Sequence, residues 1–261
     1  MAKQRLEPGR GRKAGVVKSA KKPANRAFYL IIAAIAVVGI AALTYASTRP
    51  KSSTVIAFDS TLPKVESQGY VTGSPSAKLE VTEFGDYECP QCGRFATLTE
   101  ADVRQRLVNT GLIRYRYIDF PLDMHRNTWN ASIAAACADR QGKFWEMHDA
   151  IFATQDQWNG EATDNPNKVL KQVAAKIPGI NTDSFNVCLD KRETQAKVQA
   201  HLRIALARKI SATPTFLIGS QQYPGFLSYD DFKKKVDEEL AKIPAAGGDT
   251  GKSKSLQKPG A

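Results

Sequence analysis

The chain has 261 residues, of which 42% are hydrophobic and 24% charged, a composition that supports a globular core, and its four cysteines are too few for a disulfide-dense scaffold. The formal net charge is +11, but nine basic residues and one acid lie within residues 1–26, so this segment alone carries +8. Because the excess charge lies in an N-terminal tail and not on a folded face, the composition argues against a nucleic-acid-binding protein.

The basic tail is followed by an uncharged apolar run from Ala27 to Thr48. A helix needs ~20 apolar residues to cross a bilayer, and this run is long enough. The alternative, a cleaved secretory signal, normally has a shorter apolar region of ~7–15 residues. The sequence therefore predicts a single N-terminal transmembrane helix, with the basic tail in the cytoplasm and the rest periplasmic or extracellular. Either reading delivers the remainder of the chain outside the cytoplasm.

The rest of the chain divides into a linker, one globular domain and a tail. Residues 49–75 are rich in Ser, Thr, Pro and Gly and predict a linker. Residues 244–261 lack hydrophobic periodicity and predict a disordered tail. Residues 76–243 contain apolar residues at both helical and strand spacing, and they predict the globular domain.

Within the domain the patterns follow the order β-α-β, a long helical block, then β-β-α. The predicted strands are Leu79–Gly85, Leu112–Phe120, Thr215–Ile218 and Gln221–Tyr223. The predicted helices are Pro90–Asn109, Tyr229–Leu240 and most of Asn127–Lys209. This order indicates one α/β layer interrupted by a helical insertion at about residues 123–210.

The pair Cys89-Pro90-Gln91-Cys92 follows the first strand and begins a helix. Such a pair is either half of a zinc site or a redox-active dithiol. The sequence has no second closely spaced Cys/His pair, so no metal site is predicted. Pro90 fits the first helical position, which places Cys89 at a helix N-terminus where a thiolate is stabilised. An inert structural disulfide is the other alternative, although so short a loop gains little stability.

Three motifs, in this order, carry a resemblance to a known family. They are Glu83-Phe84-Gly85-Asp86-Tyr87-Glu88-Cys89-Pro90-Gln91-Cys92, Gln141-Gly142-Lys143-Phe144-Trp145-Glu146-Met147-His148 and Ala212-Thr213-Pro214-Thr215-Phe216. With them, residues 76–243 resemble a DsbA-type thiol–disulfide oxidoreductase. The resemblance implies an α/β fold, a thioredoxin fold with an inserted α-helical domain, here preceded by the predicted transmembrane helix.

The resemblance also implies residue roles. Cys89 is similar to the exposed nucleophile that forms a mixed disulfide with substrate, and Cys92 to the buried resolving cysteine. Thr213 and Pro214 resemble the loop whose proline is cis and whose preceding backbone pairs with the substrate chain. Gln91 stands where the strong oxidants of the family carry histidine, so one source of thiolate stabilisation is missing.

Glu83 is a candidate proton-transfer residue for Cys92. Strand alternation places it on the same face as the apolar Leu79 and Val81, where desolvation would raise the pKa of its carboxyl group. It could then exchange the proton that Cys92 takes up or releases. The family also has a buried acid at this position, six residues before the first cysteine. The alternative is a solvated glutamate at the strand end.

Cys137 and Cys188 both fall in predicted helices of the insertion. Exported cysteines usually pair, so we predict a structural disulfide that stabilises the fold by about 4 kcal/mol. Two free thiols or a second redox relay are the alternatives. Of the histidines, His148 is predicted to be structural and His201 to lie on a solvated helix face.

The sequence therefore predicts an enzyme: a membrane-anchored, extracytoplasmic protein thiol–disulfide oxidoreductase that forms disulfides in reduced or unfolded exported proteins. No cofactor and no nucleic-acid partner are expected. The resemblance implies reoxidation by a quinone-linked membrane partner of the DsbB or VKOR type. The alternatives are a disulfide reductase or isomerase fed by a membrane electron carrier, and a non-catalytic thioredoxin-fold chaperone or binding module.

Overall fold

The computed structural model describes residues 26–48 and 66–244, which fall in two separate units, 1–55 and 56–261. The first contains helix α1 (Arg26–Thr48), whose side chains are described from 27 to 41 and at 44. Over this described part of the chain, no helix combines the length and the apolarity of a membrane span. The transmembrane segment Ala27–Thr48 stays a prediction. The basic tail to residue 25, linker residues 49–65 and the tail from 245 lie outside the described residues.

The second unit is built on a five-stranded sheet in the order β1-β3-β2-β4-β5. Its strands are β1 (Tyr70–Thr72), β2 (Leu79–Gly85), β3 (Ile113–Asp119), β4 (Thr215–Ile218) and β5 (Gln221–Pro224). β2 and β3 are parallel, and the other neighbouring pairs are antiparallel. β2 is central and almost wholly buried, which explains why apolar residues occur on both of its faces.

The helices follow the predicted order. The helix after β2 begins as α2 (Pro90–Phe95), passes through a π-helical turn and α3 (Ala101–Val103), and ends with a second π-helical turn at Val108. Between β3 and β4 lie α4 (Thr128–Asp139), α5 (Phe144–Ala153), α6 (Gln155–Trp158), α7 (Pro166–Ala174), α8 (Thr182–Asp190) and α9 (Gln195–Ala207). Helix α10 (Tyr229–Leu240) follows β5. The α/β fold with an inserted helical block is therefore confirmed.

Helices pack on both faces of the sheet. One face, with Val81 and Phe216, packs against Phe95 of α2 and Phe232 of α10. The opposite face, with Phe84 and Ile118, packs against Leu202 of α9. The insertion has its own core, which includes Met147, Trp158 and Phe185. This arrangement holds the start of α2 between the sheet and the insertion.

Strand β1 corrects the predicted linker, which extended to residue 75. Tyr70–Thr72 pairs with β3, so the last part of that segment belongs to the sheet. Tyr70 is buried and stacks on Phe144 with ring centroids 3.6 Å apart. A strand of three residues is too short for its alternation to stand out in the sequence, and here one aromatic anchor holds it.

Candidate active site

The two cysteines of the Cys-Pro-Gln-Cys segment lie at the start of α2 as free thiols. Cys89 is the N-cap residue and Pro90 opens the helix, so the helix begins without loss of a hydrogen bond. Cys92 is fully buried, and the backbone N–H of Asp86 donates to its sulfur at 3.4 Å. Cys89 is 6% exposed, less than the resemblance implied.

The two thiols differ strongly in acidity. Hydrogen bonding from the Cys92 thiol and from the backbone N–H groups of Gln91 and Cys92 lowers the pKa of Cys89 from 9.0 to about 6, against the opposing effect of burial. Burial raises the pKa of Cys92 well above its ordinary value, and the hydrogen bond and negative charge of Cys89 raise it further. At neutral pH the geometry therefore supports a thiolate at Cys89 and a protonated thiol at Cys92.

The loop before β4 faces the dithiol. The Thr213–Pro214 peptide bond is cis, which composition alone could not establish. The Cys89 sulfur lies 3.3 Å from the backbone carbonyl oxygen of Thr213 and can donate to it when protonated. The structure thus brings Thr213, and with it the cis bond to Pro214, beside the thiol that the family resemblance implies is the nucleophile.

Glu83 is buried, 1% exposed, so it is not a solvated glutamate at the strand end. Burial raises the pKa of its carboxyl group well above the usual range, and the negative charge of Glu100 adds to this effect. The hydroxyl group of Tyr115 donates a hydrogen bond to Glu83 and partly opposes the shift. Glu83 also contributes to the raised pKa of Cys92, so the two groups interact electrostatically.

A second buried acid, Glu100, was not identified from the sequence. It lies in the π-helical turn after α2, where His148 Nε2 is 3.0 Å from its carboxylate. Burial alone would raise the pKa of Glu100, but the adjacent His148 and Arg104 hold it below its usual value. His148 is fully buried, and its Nδ1 lies 3.0 Å from the hydroxyl of Tyr87. This polar cluster supplies the negative charge felt by Glu83.

Within the described part of the chain, one cluster offers three potential metal ligands: Glu100, His148 and Asp149. Arg104 already occupies the space between its acids. The guanidinium donates to Asp149 and lies 3.5 Å from Glu100. A bound cation would have to displace this guanidinium, so the donor set fits an ion-pair network better than a metal centre.

Asp86 is the other residue that sequence reasoning missed. Its carboxylate is fully buried and accepts from the backbone N–H of Glu88 and Leu122 and from the hydroxyl of Thr128. His125 Nδ1 lies 2.8 Å from the same carboxylate. Buried carboxylates require such partners, but all of these partners except Glu88 lie about forty positions later in the chain, where no local pattern reveals them.

The insertion contains the expected disulfide and one unexpected histidine. Cys137 of α4 and Cys188 of α8 are joined by a disulfide bond. His201 is fully buried and its Nδ1 lies 2.7 Å from Asp119, so the prediction of a solvated position was wrong. The buried Asp119 at the end of β3 gives this ring a hydrogen-bond partner, and Tyr70 of β1 packs against it.

Comparisons of the chain with known proteins agree with this geometry. Residues 66–238 match the thioredoxin family model. Disulfide bond formation protein D of Bacillus subtilis is 25% identical over 183 residues, which cover 68% of this chain and 79% of that protein. The Na(+)/H(+) antiporter NhaA 3 of Salinispora tropica is 32% identical over 168 residues, or 64% of this chain. The chain spans only 24% of the antiporter's length.

Solved structures share the fold. The crystal structure of alpha-DsbA1 from Wolbachia pipientis matches with a TM-score of 0.58 and 23% sequence identity, covering 66% of this chain and 90% of that one. This match shows the shared fold. The family model and disulfide bond formation protein D, together with that fold, confirm the resemblance to DsbA-type proteins that the three motifs predicted.

Proposed function

We propose that this chain, which belongs to the thioredoxin family, is an extracytoplasmic thiol–disulfide oxidoreductase that forms disulfide bonds in exported proteins. The observation that carries the proposal is the unequal acidity of two thiols one helical turn apart. Cys89 has a pKa of about 6, whereas that of Cys92 is raised well above its ordinary value. A merely structural cysteine pair has no need of this difference.

The reaction follows from that asymmetry. A substrate thiolate attacks the sulfur of Cys89 in the oxidised enzyme, the Cys89–Cys92 bond breaks, and Cys92 leaves with the electron pair. Cys92 then takes a proton, for which the buried Glu83 is the proposed donor. The second substrate thiolate attacks its partner sulfur in the mixed disulfide, so a substrate disulfide forms and Cys89 departs. Its low pKa makes Cys89 a good leaving group.

The direction of electron flow depends on the same thiolate. Stabilising the Cys89 thiolate stabilises the reduced enzyme, which makes the disulfide a stronger oxidant. The potential we expect lies above the ~−270 mV of thioredoxin and below the ~−120 mV of the strongest oxidant of this type. The upper bound reflects Gln91, which cannot supply the charge of a histidine in the dipeptide between the cysteines.

Export and reoxidation complete the proposal. The predicted membrane segment Ala27–Thr48 would anchor the enzyme with its catalytic unit outside the cytoplasm, where oxidised thiols persist. Reduced enzyme must then return two electrons to an acceptor, for which we propose a quinone-linked membrane protein of the DsbB or VKOR type. The name of the Bacillus subtilis relative, disulfide bond formation protein D, supports the substrate class.

The decisive experiment combines trapping with a redox titration. Oxidation of a reduced two-cysteine peptide by the full-length chain should be lost in Cys89→Ala, whereas Cys92→Ala should accumulate a mixed disulfide through Cys89 with a peptide bearing an activated disulfide. A wild-type chain that binds the peptide without oxidising it, together with a folded Cys89→Ala protein that binds it equally well, would support a passive binding module. A potential at or below that of thioredoxin, measured against glutathione, would instead favour the reductase.

A further inference from the structure

A histidine lines a groove beside the Cys-Pro-Gln-Cys turn, although none is present between the two cysteines. His125 precedes α4, and 17% of its side chain is exposed. It lines a groove of about 340 Å³ together with Glu88 and Pro90, the residues on either side of Cys89. The same groove is lined by Gln155, whose amide donates to the carbonyl oxygen of Cys89 at 3.1 Å. The ring therefore borders the same groove as both chain neighbours of Cys89.

Asp86 connects this ring to the backbone of Cys89 and to the thiol of Cys92. Its carboxylate lies 2.8 Å from His125 Nδ1. Its carbonyl oxygen accepts from the backbone N–H of Cys89 at 3.1 Å, and its own N–H donates to the sulfur of Cys92 at 3.4 Å. The carboxylate is completely buried and fully occupied by hydrogen bonds, so the ring is held in one place relative to the turn.

The charges around His125 favour its cationic form. The hydrogen bond to Asp86 raises the pKa of His125, burial opposes this, and the negative charges of Asp86, Cys89 and Glu88 raise it further. Arg126 and Glu161 also line the groove. Arg126 is well exposed and pairs with the exposed Asp164 at 2.8 Å. His125, in contrast, is held by the buried Asp86.

We propose that His125 is a positioning residue that acts on Cys89 through its charge, stabilising the thiolate from outside the Cys-Pro-Gln-Cys segment. The inference rests on the proposed function, because it assigns a further residue to the same dithiol. It also explains how a site with Gln91 keeps an electrostatic partner for its thiolate. Asp86 orients the ring, and the imidazolium adds positive charge to that of the helix N-terminus.

The first test measures the acidity of Cys89 in the full-length chain by its rate of alkylation from pH 4.5 to 8. In His125→Asn, the amide nitrogen can replace Nδ1 as the donor to Asp86, so the hydrogen bond is kept and the charge removed. We expect the apparent pKa of Cys89 to rise by about 0.5 to 1 unit, which slows alkylation at pH 5 about three- to tenfold. His125→Lys, which keeps the charge, should restore most of the rate.

A matched control is Arg126→Gln, which removes a cation from the same groove without touching Asp86. It should leave the alkylation profile of Cys89 within about 0.2 units of wild type, as expected for an exposed charge screened by water. Equal shifts in Arg126→Gln and His125→Asn would assign the effect to the net charge of the groove and overturn the proposal. Thermal unfolding of each oxidised variant verifies that the fold is intact.

The second test uses the reciprocity of the coupling. If His125 stabilises the thiolate, the thiolate must raise the pKa of His125 by the same amount. The titration of His125, followed by NMR with labelled histidine, should therefore move to lower pH when Cys89 and Cys92 are oxidised. An unchanged titration would show that the ring is only structural.

The outcomes separate this inference from the proposed function. An ordinary thiol pKa of Cys89 in the wild-type chain would remove the basis of the proposed function itself. A low pKa of Cys89 that is the same in wild type and in His125→Asn would leave the function standing and refute the role of His125. The redox equilibrium with glutathione separates the two proposals in the same way. In His125→Asn we expect the equilibrium constant for oxidation of glutathione by the enzyme to fall three- to tenfold, which lowers the reduction potential by about 15 to 30 mV.

Discussion

The acidity of Cys89 predicts how the stability of the reduced enzyme depends on pH. The pKa of this thiol falls from 9.0 to about 6 in the folded chain. A lowered folded pKa contributes stability that is fully present above the unfolded value and is lost as the pH falls through the folded value. The reduced enzyme should therefore become more stable, relative to a variant without this thiolate, as the pH rises from about 5 towards 9.

The size of the effect follows from the two pKa values. Thermodynamic linkage between the two pKa values adds about 2.5 kcal/mol to the unfolding free energy of the reduced enzyme between pH 5 and pH 8. Water screens a thiolate that retains some contact with solvent, so we expect about 1 to 2 kcal/mol in practice. The matched comparison is Cys89→Ser, which keeps a small polar side chain at the helix N-cap position but has no group that ionises in this range.

The assay is urea-induced unfolding of both proteins at half-unit steps from pH 5 to 8. Mild reductant keeps Cys89 and Cys92 as thiols, and mass mapping verifies that the Cys137–Cys188 bond stays closed. The difference in unfolding free energy between wild type and Cys89→Ser should grow with pH. A difference that is flat across this range would refute the low pKa of Cys89 and, with it, the thiolate on which the proposed reaction depends.

Four further predictions concern Glu83, the two active-site thiols and the structural disulfide. Glu83→Gln keeps an acceptor for Tyr115 but cannot exchange a proton, so stopped-flow measurements should show the Cys92 step slowed by about a hundredfold. The raised pKa of Glu83 means that its buried carboxyl group favours folding while it is protonated at low pH, and this contribution is lost as the pH rises through that pKa. Glu83→Gln has no such loss and should therefore be more stable than wild type at neutral pH. Alkylation of the reduced chain at pH 6 should modify Cys89 and spare Cys92, and preferential labelling of Cys92 by peptide mapping would reverse their roles. Replacing both Cys137 and Cys188 with Ala should lower the unfolding free energy by about 4 kcal/mol while peptide oxidation persists, and an unchanged denaturation midpoint would contradict a structural role.

The local features of this site could be predicted from the sequence because they depend on residues close together in the chain. The strand at Leu79–Gly85 and the helix that begins at Pro90 follow from alternation, helical spacing and the position of one proline. These elements place Cys89 at a helix N-terminus. The buried position of Glu83 follows from the same alternation.

The long-range polar pairs could not be predicted in this way. Asp86 with His125 and Glu100 with His148 join residues 39 and 48 positions apart. His201 was wrongly placed on a solvated face because its helix gives little sign of which polar residues have buried partners. Which acid meets which histidine is decided by the packing of the insertion on the sheet, and periodicity reports only that a face is apolar.

The helical insertion contributes to the chemistry of the site as well as to its stability. Its residues supply the base that pairs with Glu100, the amide that binds the carbonyl oxygen of Cys89, and the imidazole held by Asp86. The contact of His148 with Glu100 bears on Glu83, because the charge of Glu100 raises the pKa of Glu83. The contact of His125 with Asp86 bears on the turn that carries both thiols. Two chains with the same Pro-Gln dipeptide can therefore differ in oxidising strength when their insertions differ at these positions. We therefore expect the insertion, and not the dipeptide alone, to set the potential of this chain, so that exchanging residues of the insertion changes it without altering the Cys-Pro-Gln-Cys segment.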